Sequence, residues 1–266
     1  MVDAAPDPRP TGRPESGAAA FALEVAALSD VGPTRAQNED RCGFHQENHA
    51  AMVLVVADGV SSYAAGDTAS QMAVDVTLRA YGEQDRAVKS ETRLSRAVQQ
   101  ANIEIHDLAL AVPELRGMCT TVTALAVIGG KLVAAHVGDS RLYLVRRGRP
   151  LQLSKDHTAG RSVLTRSVGR ELIVAIDRIS RPLEQDDTLL VCTDGLYNVL
   201  TDHEMAELTA GFAPAAACRA LIDAAIARKA GDNITAAIVR MIGPTLDAPA
   251  KPGVGARLRR LLGGSG

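Results

Sequence analysis

Four aspartates that stand next to a glycine at the ends of apolar segments are the residues of this sequence best suited to chemistry. They are Asp58, Asp139, Asp194 and Asp232. A strand end holds a side chain in a fixed position, and a neighbouring glycine lets a ligand or a backbone carbonyl approach closely. Gathered carboxylates repel one another unless cations neutralise them, and sets of oxygen ligands suit hard cations such as Mg²⁺ or Mn²⁺. A single Asp-Gly pair is ordinary turn chemistry, so the prediction of a metal site depends on all four.

A second polar group lies in the segment SDVGPTRAQNED, which contains Arg35, Glu39 and Asp40. A glycine and a proline in this segment predict a loop or the edge of a strand. A guanidinium beside a carboxylate cluster can hold a phosphate, because it donates two parallel hydrogen bonds to the oxyanion. Two cations bridged by one carboxylate can lower the pKa of a shared water and so supply hydroxide in line with that phosphate. These residues therefore predict metal-assisted transfer of a phosphoryl group to water.

The elements that must position these residues are apolar runs separated by turn residues. Strands are predicted where β-branched and other apolar residues run up to a turn, at 52–57, 120–128, 132–137, 142–145, 188–192 and 234–239. Helices are predicted at 66–81, at 92–111 with Ser90 as its cap, and at 202–208 and 214–229. Antiparallel-looking strands with a few packed helices predict an α+β fold, most simply a central antiparallel β-sandwich flanked by α-helices.

Length and charge favour one domain that binds neither nucleic acid nor a bilayer. The chain has 266 residues, of which 31 are acidic and 29 basic, and 3% are aromatic. Nucleic-acid binders are usually strongly basic and offer aromatic rings for stacking, so nucleic acid is not an expected partner. No apolar run approaches the length of a membrane span and the N-terminus has no signal-peptide core. We therefore expect no stable membrane insertion and a cytoplasmic location.

The two ends of the chain differ in composition from its middle. Residues 1–20 are rich in Pro, Ala and Asp, and we expect them to form a disordered leader. Residues 243–266 are expected to form a flexible Pro/Gly tail with a short basic end. The folded domain is predicted to occupy 21–242.

Several other kinds of site are not expected. The four cysteines lie far apart and form no CxxC pair, so they predict buried reduced thiols and neither a zinc ribbon nor a redox dithiol. None of them is followed six positions later by arginine, as the nucleophile of a cysteine phosphatase would be. The sequence also lacks a Walker A loop, a GxSxG elbow and an HExxH helix.

Eight motifs between Ala27 and Arg240 occur in the order of one enzyme family. They are SDVGPTRAQNED, VVADGVSS, CTT, HVGDSRLYL, LSKDHT, VLTRSVG, LLVCTDGLYNVL and GDNITAAIV. With these motifs the sequence resembles the metal-dependent Ser/Thr protein phosphatases of the PP2C (PPM) type. The resemblance implies that family's fold, a central β-sandwich between pairs of helices in four α-β-β-α layers. This agrees with the fold predicted from the pattern of elements.

The resemblance also implies a metal centre of two Mn²⁺ or Mg²⁺ ions. Asp58 would bridge both ions, and Gly59 would offer its carbonyl to one of them. Asp194 and Asp232 would complete the other. Asp139 with Asp194 could bind a third ion of the kind that bacterial members hold.

The same resemblance gives roles to the SDVGPTRAQNED residues. Glu39 and Asp40 would hold metal-bound waters, and Arg35 would clamp the phosphate. Arg35 and Asp58 are thus the expected catalytic residues.

The sequence departs from the family pattern beside the metals. The usual DGxGG becomes Asp58-Gly59-Val60-Ser61-Ser62. The hydroxyls of Ser61 and Ser62 could contact metal waters or the substrate phosphate, or the serines could be tolerated turn substitutions. Animal members have a histidine, proposed as general acid, where this chain has Val60. A metal-bound water, or else His157, would then protonate the leaving group, and the water is preferred because a KDHT histidine is more often structural.

A further departure is a short connection. Only residues 159–162 separate KDHT from VLTRSVG, where many bacterial members insert a mobile flap. Loss of the flap should leave the metal cleft more open. This short form is similar to phosphatase modules fused to, or encoded with, bacterial Ser/Thr kinases.

Three functions fit these observations. The leading hypothesis is a metal-dependent phosphatase that hydrolyses phosphoserine and phosphothreonine in proteins and counteracts a bacterial Ser/Thr kinase of the same signalling pathway. The first alternative is a non-catalytic pseudophosphatase that binds a phosphoprotein or a kinase. The second alternative is a regulatory phosphatase that switches a partner-binding protein.

Overall fold

The computed structural model describes residues 21–60, 65–160 and 163–244. The strands in this part of the chain are β1 (Phe21–Asp30), β2 (Asp40–Asn48), β3 (Ala51–Asp58), β4 (Val122–Ile128), β5 (Lys131–Val137), β6 (Arg141–Arg146), β7 (Arg149–Gln152), β8 (Thr158–Ala159), β9 (Val163–Leu164), β10 (Asp177–Pro182), β11 (Thr188–Cys192) and β12 (Ile234–Pro244). The α-helices are α1 (Gly66–Glu83), α2 (Ser90–Ala111), α3 (Asp194–Tyr197), α4 (Asp202–Gly211) and α5 (Pro214–Ala227).

Two five-stranded sheets face each other. The first sheet has the order β1-β12-β11-β6-β7 and the second has the order β10-β5-β4-β3-β2. Every pairing within them is antiparallel. Strands β8 and β9 form a small ribbon of their own.

The central strands are apolar throughout because both of their faces are buried. Val53 and Val55 of β3 pack with Ala69 of α1 and Leu94 of α2. Leu54 points the other way and packs among strands of the first sheet. A third apolar cluster joins the first sheet to α4 and α5. Successive residues of a strand point to opposite faces, so these clusters require four layers, helices, sheet, sheet and helices.

The predicted fold class, an α+β sandwich flanked by helices, is confirmed. Every strand and helix predicted from the sequence is present, with ends that differ by a few residues. The largest difference is β12, which continues from the predicted end at 239 to Pro244. That extension pairs with the beginning of β1, which the sequence did not predict as a strand.

The elements that the sequence missed lie mostly at sheet edges. Strands β1, β2, β7 and β10 each have one free edge. Three of them carry polar residues through their length, and β1 mixes apolar and polar residues without clean alternation.

One correction concerns α2, in which Ser90 is the first helical residue, and Lys89 stands at the cap position with no side-chain hydrogen bond. The prediction of Ser90 as the cap was wrong.

The predicted division into leader, domain and tail stays a prediction. The leader at 1–20 and most of the tail lie outside the described residues, and β12 reaches two residues past the predicted domain end at 242. Of the helices that the structure describes, none has both the length and the apolar character needed to cross a membrane.

Candidate active site

Strand ends bring the predicted carboxylates to one end of the sandwich. Asp58 ends β3 and pairs in register with Asp40, the first residue of β2. Asp194 lies just after the end of β11. Strand β12 is antiparallel to β11 and begins at the same end of the sheet, shortly after Asp232. Asp139 lies in the connection that carries the chain from β5 of the second sheet to β6 of the first at this same end.

The backbone of Asp58 is fixed on both sides of the residue. Its N–H donates to Oγ1 of Thr121 at 3.0 Å. Its carbonyl accepts the N–H of Thr121 at 2.8 Å and the hydroxyl of Thr120 at 2.8 Å. The aspartate side chain is therefore carried by a backbone that cannot shift without breaking three hydrogen bonds.

The carboxylates interact strongly with one another. Burial raises the pKa of Asp58 well above its usual value, and the charges of Asp40, Asp194, Asp139 and Asp232 raise it further. Burial, followed by the charges of Asp232, Asp139 and Asp40, raises the pKa of Asp194 to about 7. The carboxylates are thus close enough to repel one another, and this repulsion disfavours ionisation of all of them at once.

This donor set fits divalent cations. The raised pKa values of Asp58 and Asp194 show that too little positive charge lies nearby to stabilise their ionised forms. Hard divalent cations, which prefer oxygen ligands, would supply that charge. In the described part of the chain, however, no three Asp, Glu, His or Cys side chains stand together as a preformed ligand group. The carboxylates are gathered without being drawn into ligand geometry.

Arg35 lies at this cluster and is paired with one of its members. A guanidinium nitrogen of Arg35 donates to Oδ2 of Asp232 at 2.7 Å, and Nε donates to the carbonyl of Gly231 at 3.3 Å. The two side chains remain 38% and 31% exposed, so the guanidinium is accessible to a ligand. The structure thus brings Arg35 to the predicted site, with Asp232 in the place of an anionic ligand.

The glycines after Asp58 and Asp194 allow two backbones to cross. A Cβ at Gly59 would lie 2.3 Å from the carbonyl oxygen of Gly66 and 2.9 Å from that of Glu39. A Cβ at Gly195 would lie 2.1 Å from the carbonyl oxygen of Asn233. These positions are therefore restricted to glycine by packing between segments, in addition to any ligand that approaches them.

Asp40 is held by hydroxyls that sequence reasoning missed. Its side chain is buried, and Oδ2 accepts hydrogen bonds from Thr193 at 2.8 Å and from Thr235 at 2.7 Å. Burial raises the pKa of Asp40 to about 6, although these two hydrogen bonds lower it. Thr193 directly precedes Asp194, and Thr235 lies three residues after Asp232. This closeness to predicted metal ligands was the only signal in the sequence that the threonines belong to the site.

Glu39 is positioned through its backbone. Its N–H donates to Oδ1 of Asn233 at 2.9 Å, and its carbonyl accepts the N–H of Gly59 at 3.2 Å. The side-chain carboxyl lies beside Gly66 at the start of α1, where an added Cβ would be 3.1 Å from it. Asn233 is a second positioning residue that the sequence analysis did not identify.

His157 is buried and hydrogen-bonded on both sides of its ring. Nδ1 accepts the N–H of Gly138 at 3.1 Å. Nε2 lies 3.2 Å from Oδ2 of Asp177 and 3.1 Å from a guanidinium nitrogen of Arg166. This is the arrangement of a structural histidine, the alternative that the sequence favoured over a leaving-group acid.

Arg141, the first residue of β6, contacts two residues near the carboxylate cluster. Arg141 forms a forked ion pair with Asp156, with hydrogen bonds of 2.8 to 3.2 Å. Its guanidinium also lies 3.8 Å from the ring centroid of Tyr197, in the short helix that begins at Asp194. These contacts connect the β5–β6 crossing to α3.

The structure describes only part of the positions at which the sequence departs from the family pattern. Ser61 and Ser62 lie outside the described residues, so their roles stay predictions. The short connection after KDHT joins β8 to β9, and these strands pair through Thr158 with Leu164 and through Ala159 with Val163. The four cysteines are free thiols, as predicted, and three of them are buried, whereas the prediction of a buried thiol was wrong for the partly exposed Cys42.

The sequence is similar to known bacterial phosphatases. The family model described as Protein phosphatase 2C matches residues 34–229. The chain is 34% identical to the Serine/threonine phosphatase stp of Listeria innocua over 202 residues, which cover 68% of this chain and 80% of that protein. It is 30% identical to Protein phosphatase PhpP of Streptococcus pneumoniae, over 82% of this chain and 98% of the relative.

Solved structures show the same similarity. The serine/threonine phosphatase PstP of Mycobacterium tuberculosis superposes with a TM-score of 0.75 at 29% identity, over 84% of this chain and all of that one. Its catalytic domain has also been solved in complex with two manganese ions. PppA of Pseudomonas aeruginosa superposes with a TM-score of 0.73 at 30% identity, over 84% of this chain and all of that one. The chain therefore belongs to the protein phosphatase 2C family of metal-dependent serine/threonine protein phosphatases, which its motifs resemble.

Proposed function

We propose that this chain hydrolyses phosphoserine and phosphothreonine side chains of proteins at the cluster formed by Asp58, Asp194 and Asp232. The observation that carries the proposal is the placement of these three carboxylates beside the exposed guanidinium of Arg35, with the pKa of Asp58 and of Asp194 raised by burial and by the charges of their neighbours. Two Mn²⁺ or Mg²⁺ ions, when bound, would supply an activated water and offset the charge of the phosphate.

Each residue has a proposed role in holding these ions. Asp58, on its fixed backbone, would bridge the two, and the carbonyl of Gly59 would complete one site. Asp194 and Asp232 would complete the other. Asp139 would join Asp194 in a third site, because the two carboxylates lie on neighbouring connections and Asp139 raises the pKa of Asp194.

The substrate would be oriented by side chains around this cluster. Arg35 already binds an anionic oxygen, that of Asp232, and a phosphate could take the same hydrogen bonds. Glu39 and Asp40 would orient water, since both are fixed by hydrogen bonds to neighbouring segments. His157 has no free ring nitrogen to offer a leaving group, which supports protonation by water.

The partners we infer are phosphorylated proteins and a Ser/Thr kinase whose products this enzyme reverses. The relatives named above as serine/threonine phosphatases support the first inference. The second follows from the chemistry, because a phosphoprotein substrate requires a kinase that makes it.

The test is hydrolysis of a phosphothreonine peptide and of p-nitrophenyl phosphate by the purified chain, with Mn²⁺ and with EDTA. We expect turnover only with the metal. We expect Asp58→Asn to lower kcat by about a thousandfold or more, because the ligand shared by both ions is lost. Glu207→Gln, on the exposed surface of α4, is the matched control. Unchanged turnover by Asp58→Asn would contradict the assignment, and tight Mn²⁺ binding without turnover would favour the pseudophosphatase alternative.

A further inference from the structure

The outer edge of β10 borders a groove that the proposed catalytic site does not use. Strand β10 stands at the end of the second sheet, so no neighbouring strand covers its outer side in the described structure. The groove has a volume of about 540 Å³ and is lined by Leu153, Lys155 and residues 176–181. It therefore follows the free edge of the strand for most of its length.

The register shows which backbone groups face this groove. Leu183 donates its N–H to the carbonyl of Gly130, just beyond the last pair of β10 with β5. Hydrogen-bonded and non-bonded pairs alternate along an antiparallel ladder. The N–H and carbonyl of Arg178 and of Ser180 consequently point outward, away from β5.

Not all of the edge is open. The carbonyl of Ser180 accepts a hydrogen bond from its neighbour Arg181 at 3.0 Å. Pro182 has no N–H, and its carbonyl accepts a hydrogen bond from Arg146 at 3.3 Å. Within the described parts of the chain, the N–H and carbonyl of Arg178 and the N–H of Ser180 have no hydrogen-bond partner, which is enough to pair with a short extended segment.

The groove is positively charged. Lys155, Arg178 and Arg181 are exposed along it. None of these three side chains has an ion-pair partner among the residues that the structure describes. The single acidic side chain of the lining, Asp177, is paired with Arg166 at 2.8 Å and with His157 at 3.2 Å. A ligand with carboxylates complements this charge.

The groove begins beside the proposed active site. Asp177 pairs with His136 of β5, the strand that leads into Asp139. Three strand spacings separate β10 from β3, about 14 Å. An extended chain covers that distance in about four or five residues. A substrate with its phosphate at Asp58 could thus place residues about five positions away in the groove.

We propose that an extended acidic segment of the phosphoprotein substrate docks here, adding a strand to β10 and pairing its carboxylates with Lys155 and Arg178. Strand addition to a free sheet edge supplies affinity through backbone hydrogen bonds, and the side chains beside it supply specificity. The proposal rests on the proposed function. Charges on an edge strand also discourage self-association, and that role alone predicts no peptide binding.

The first experiment measures kinetics with designed peptides. Two phosphothreonine peptides carry three glutamates five to nine residues from the phosphothreonine, one on its N-terminal side and one on its C-terminal side, and matched peptides carry glutamine instead. We expect one glutamate peptide to have a KM about fivefold to tenfold lower than its match, as two surface ion pairs would give. The double variant Lys155→Glu, Arg178→Glu should abolish this preference and hydrolyse p-nitrophenyl phosphate normally. Arg219→Glu on α5 is the matched control.

The second experiment separates strand addition from charge attraction. Ser180→Pro removes the outward N–H and leaves the hydrogen bonds to β5 in place. We expect it to weaken binding of the fluorescent, unphosphorylated glutamate peptide about fivefold, measured by anisotropy. A folded Ser180→Pro variant with unchanged affinity overturns strand addition, and should this variant not fold, the charge-reversed double variant decides.

The outcomes separate this proposal from the proposed function. Hydrolysis without glutamate preference or peptide binding overturns the docking surface alone. Peptide binding that is lost in the charge-reversed variant, together with no hydrolysis of any substrate, overturns the phosphatase and supports the docking surface.

Discussion

At the scale of single residues, the site depends on groups that never face the substrate. Asp40 is buried next to Asp58 in the sheet register, and both of its hydrogen-bond donors, Thr193 and Thr235, reach the same carboxylate oxygen. Thr193 precedes Asp194, and Thr235 lies three residues after Asp232. The two hydroxyls thus connect β2, through Asp40, to the segments that carry Asp194 and Asp232. Loss of either hydroxyl should therefore weaken metal binding, although neither hydroxyl is a proposed metal ligand.

We predict that Thr235→Val lowers Mn²⁺ affinity about tenfold, because partners that orient metal ligands commonly contribute this much. The substitution keeps the shape of the side chain and removes the donor to Asp40. Isothermal titration with Mn²⁺ measures the effect without any turnover.

Thr209→Val is the matched control for this prediction. The hydroxyl of Thr209 is also buried but has no hydrogen-bond partner in the described structure. Its removal should leave Mn²⁺ affinity unchanged and stability equal or higher. Equal losses of affinity in the two variants would show that the hydroxyl of Thr235 has no specific role.

At the scale of elements, glycine allows segments to cross tightly around the site. Gly195 is the second residue of the short helix α3 and lies against the carbonyl of Asn233, the residue before β12. The sequence predicted that a ligand or a backbone carbonyl approaches these glycines, and at Gly195 a backbone carbonyl does so. Such a contact joins segments far apart in the chain, so no local pattern could predict which segment supplies the carbonyl.

We predict that Gly195→Ala destabilises the fold by about 2 kcal/mol or more, since an added methyl group would lie 2.1 Å from the carbonyl oxygen of Asn233 and the backbone must move. The control is Gly82→Ala in α1, where an added Cβ meets nothing within 4 Å. That variant should gain about 0.5 to 1 kcal/mol from helix propensity. Urea denaturation measures both, and a Gly195→Ala variant as stable as the native chain would contradict the packing argument.

The same scale explains which elements the sequence could predict. Strands such as β3 and β11 have both faces buried, so an unbroken apolar run identified them. Edge strands such as β2 and β10 are stabilised by one neighbour and carry polar residues, which removes that signal. The proposed docking edge of β10 belongs to this second kind. The site aspartates were recognisable because each stands at one end of an apolar run, beside a glycine. The threonines and Asn233 had only their closeness in sequence to those aspartates as a signal.

At the scale of the whole molecule, the sandwich is a frame that holds like charges together. Both sheets contribute strand ends to one cluster, and folding forces those carboxylates into proximity. Asp40 has a pKa raised to about 6 and Asp194 to about 7, chiefly by burial. The folded protein therefore retains protons there that the unfolded chain releases near its ordinary pKa of about 4.

We predict that the metal-free protein loses stability as pH rises from 6.5 to 8.0. A group whose folded pKa is raised stabilises the fold while it is protonated, and this contribution is lost as pH rises through the folded pKa. His136 acts oppositely, because burial lowers its pKa to about 4, but its contribution falls mainly below pH 6.5. In EDTA, calorimetry should therefore show a Tm lower by several degrees at pH 8.0 than at pH 6.5.

Saturating Mn²⁺ should reverse this slope, because ions that bind carboxylates compete with protons and favour higher pH. Asp194→Asn should flatten the metal-free slope, since it removes a titrating group from the cluster, whereas Asp223→Asn on the exposed face of α5 should leave it unchanged. A metal-free slope that survives in the double variant Asp58→Asn, Asp194→Asn would locate the pH dependence elsewhere, since the pKa of Asp58 is raised as well. The carboxylate cluster would then not be the feature that lowers the stability of the metal-free protein at high pH.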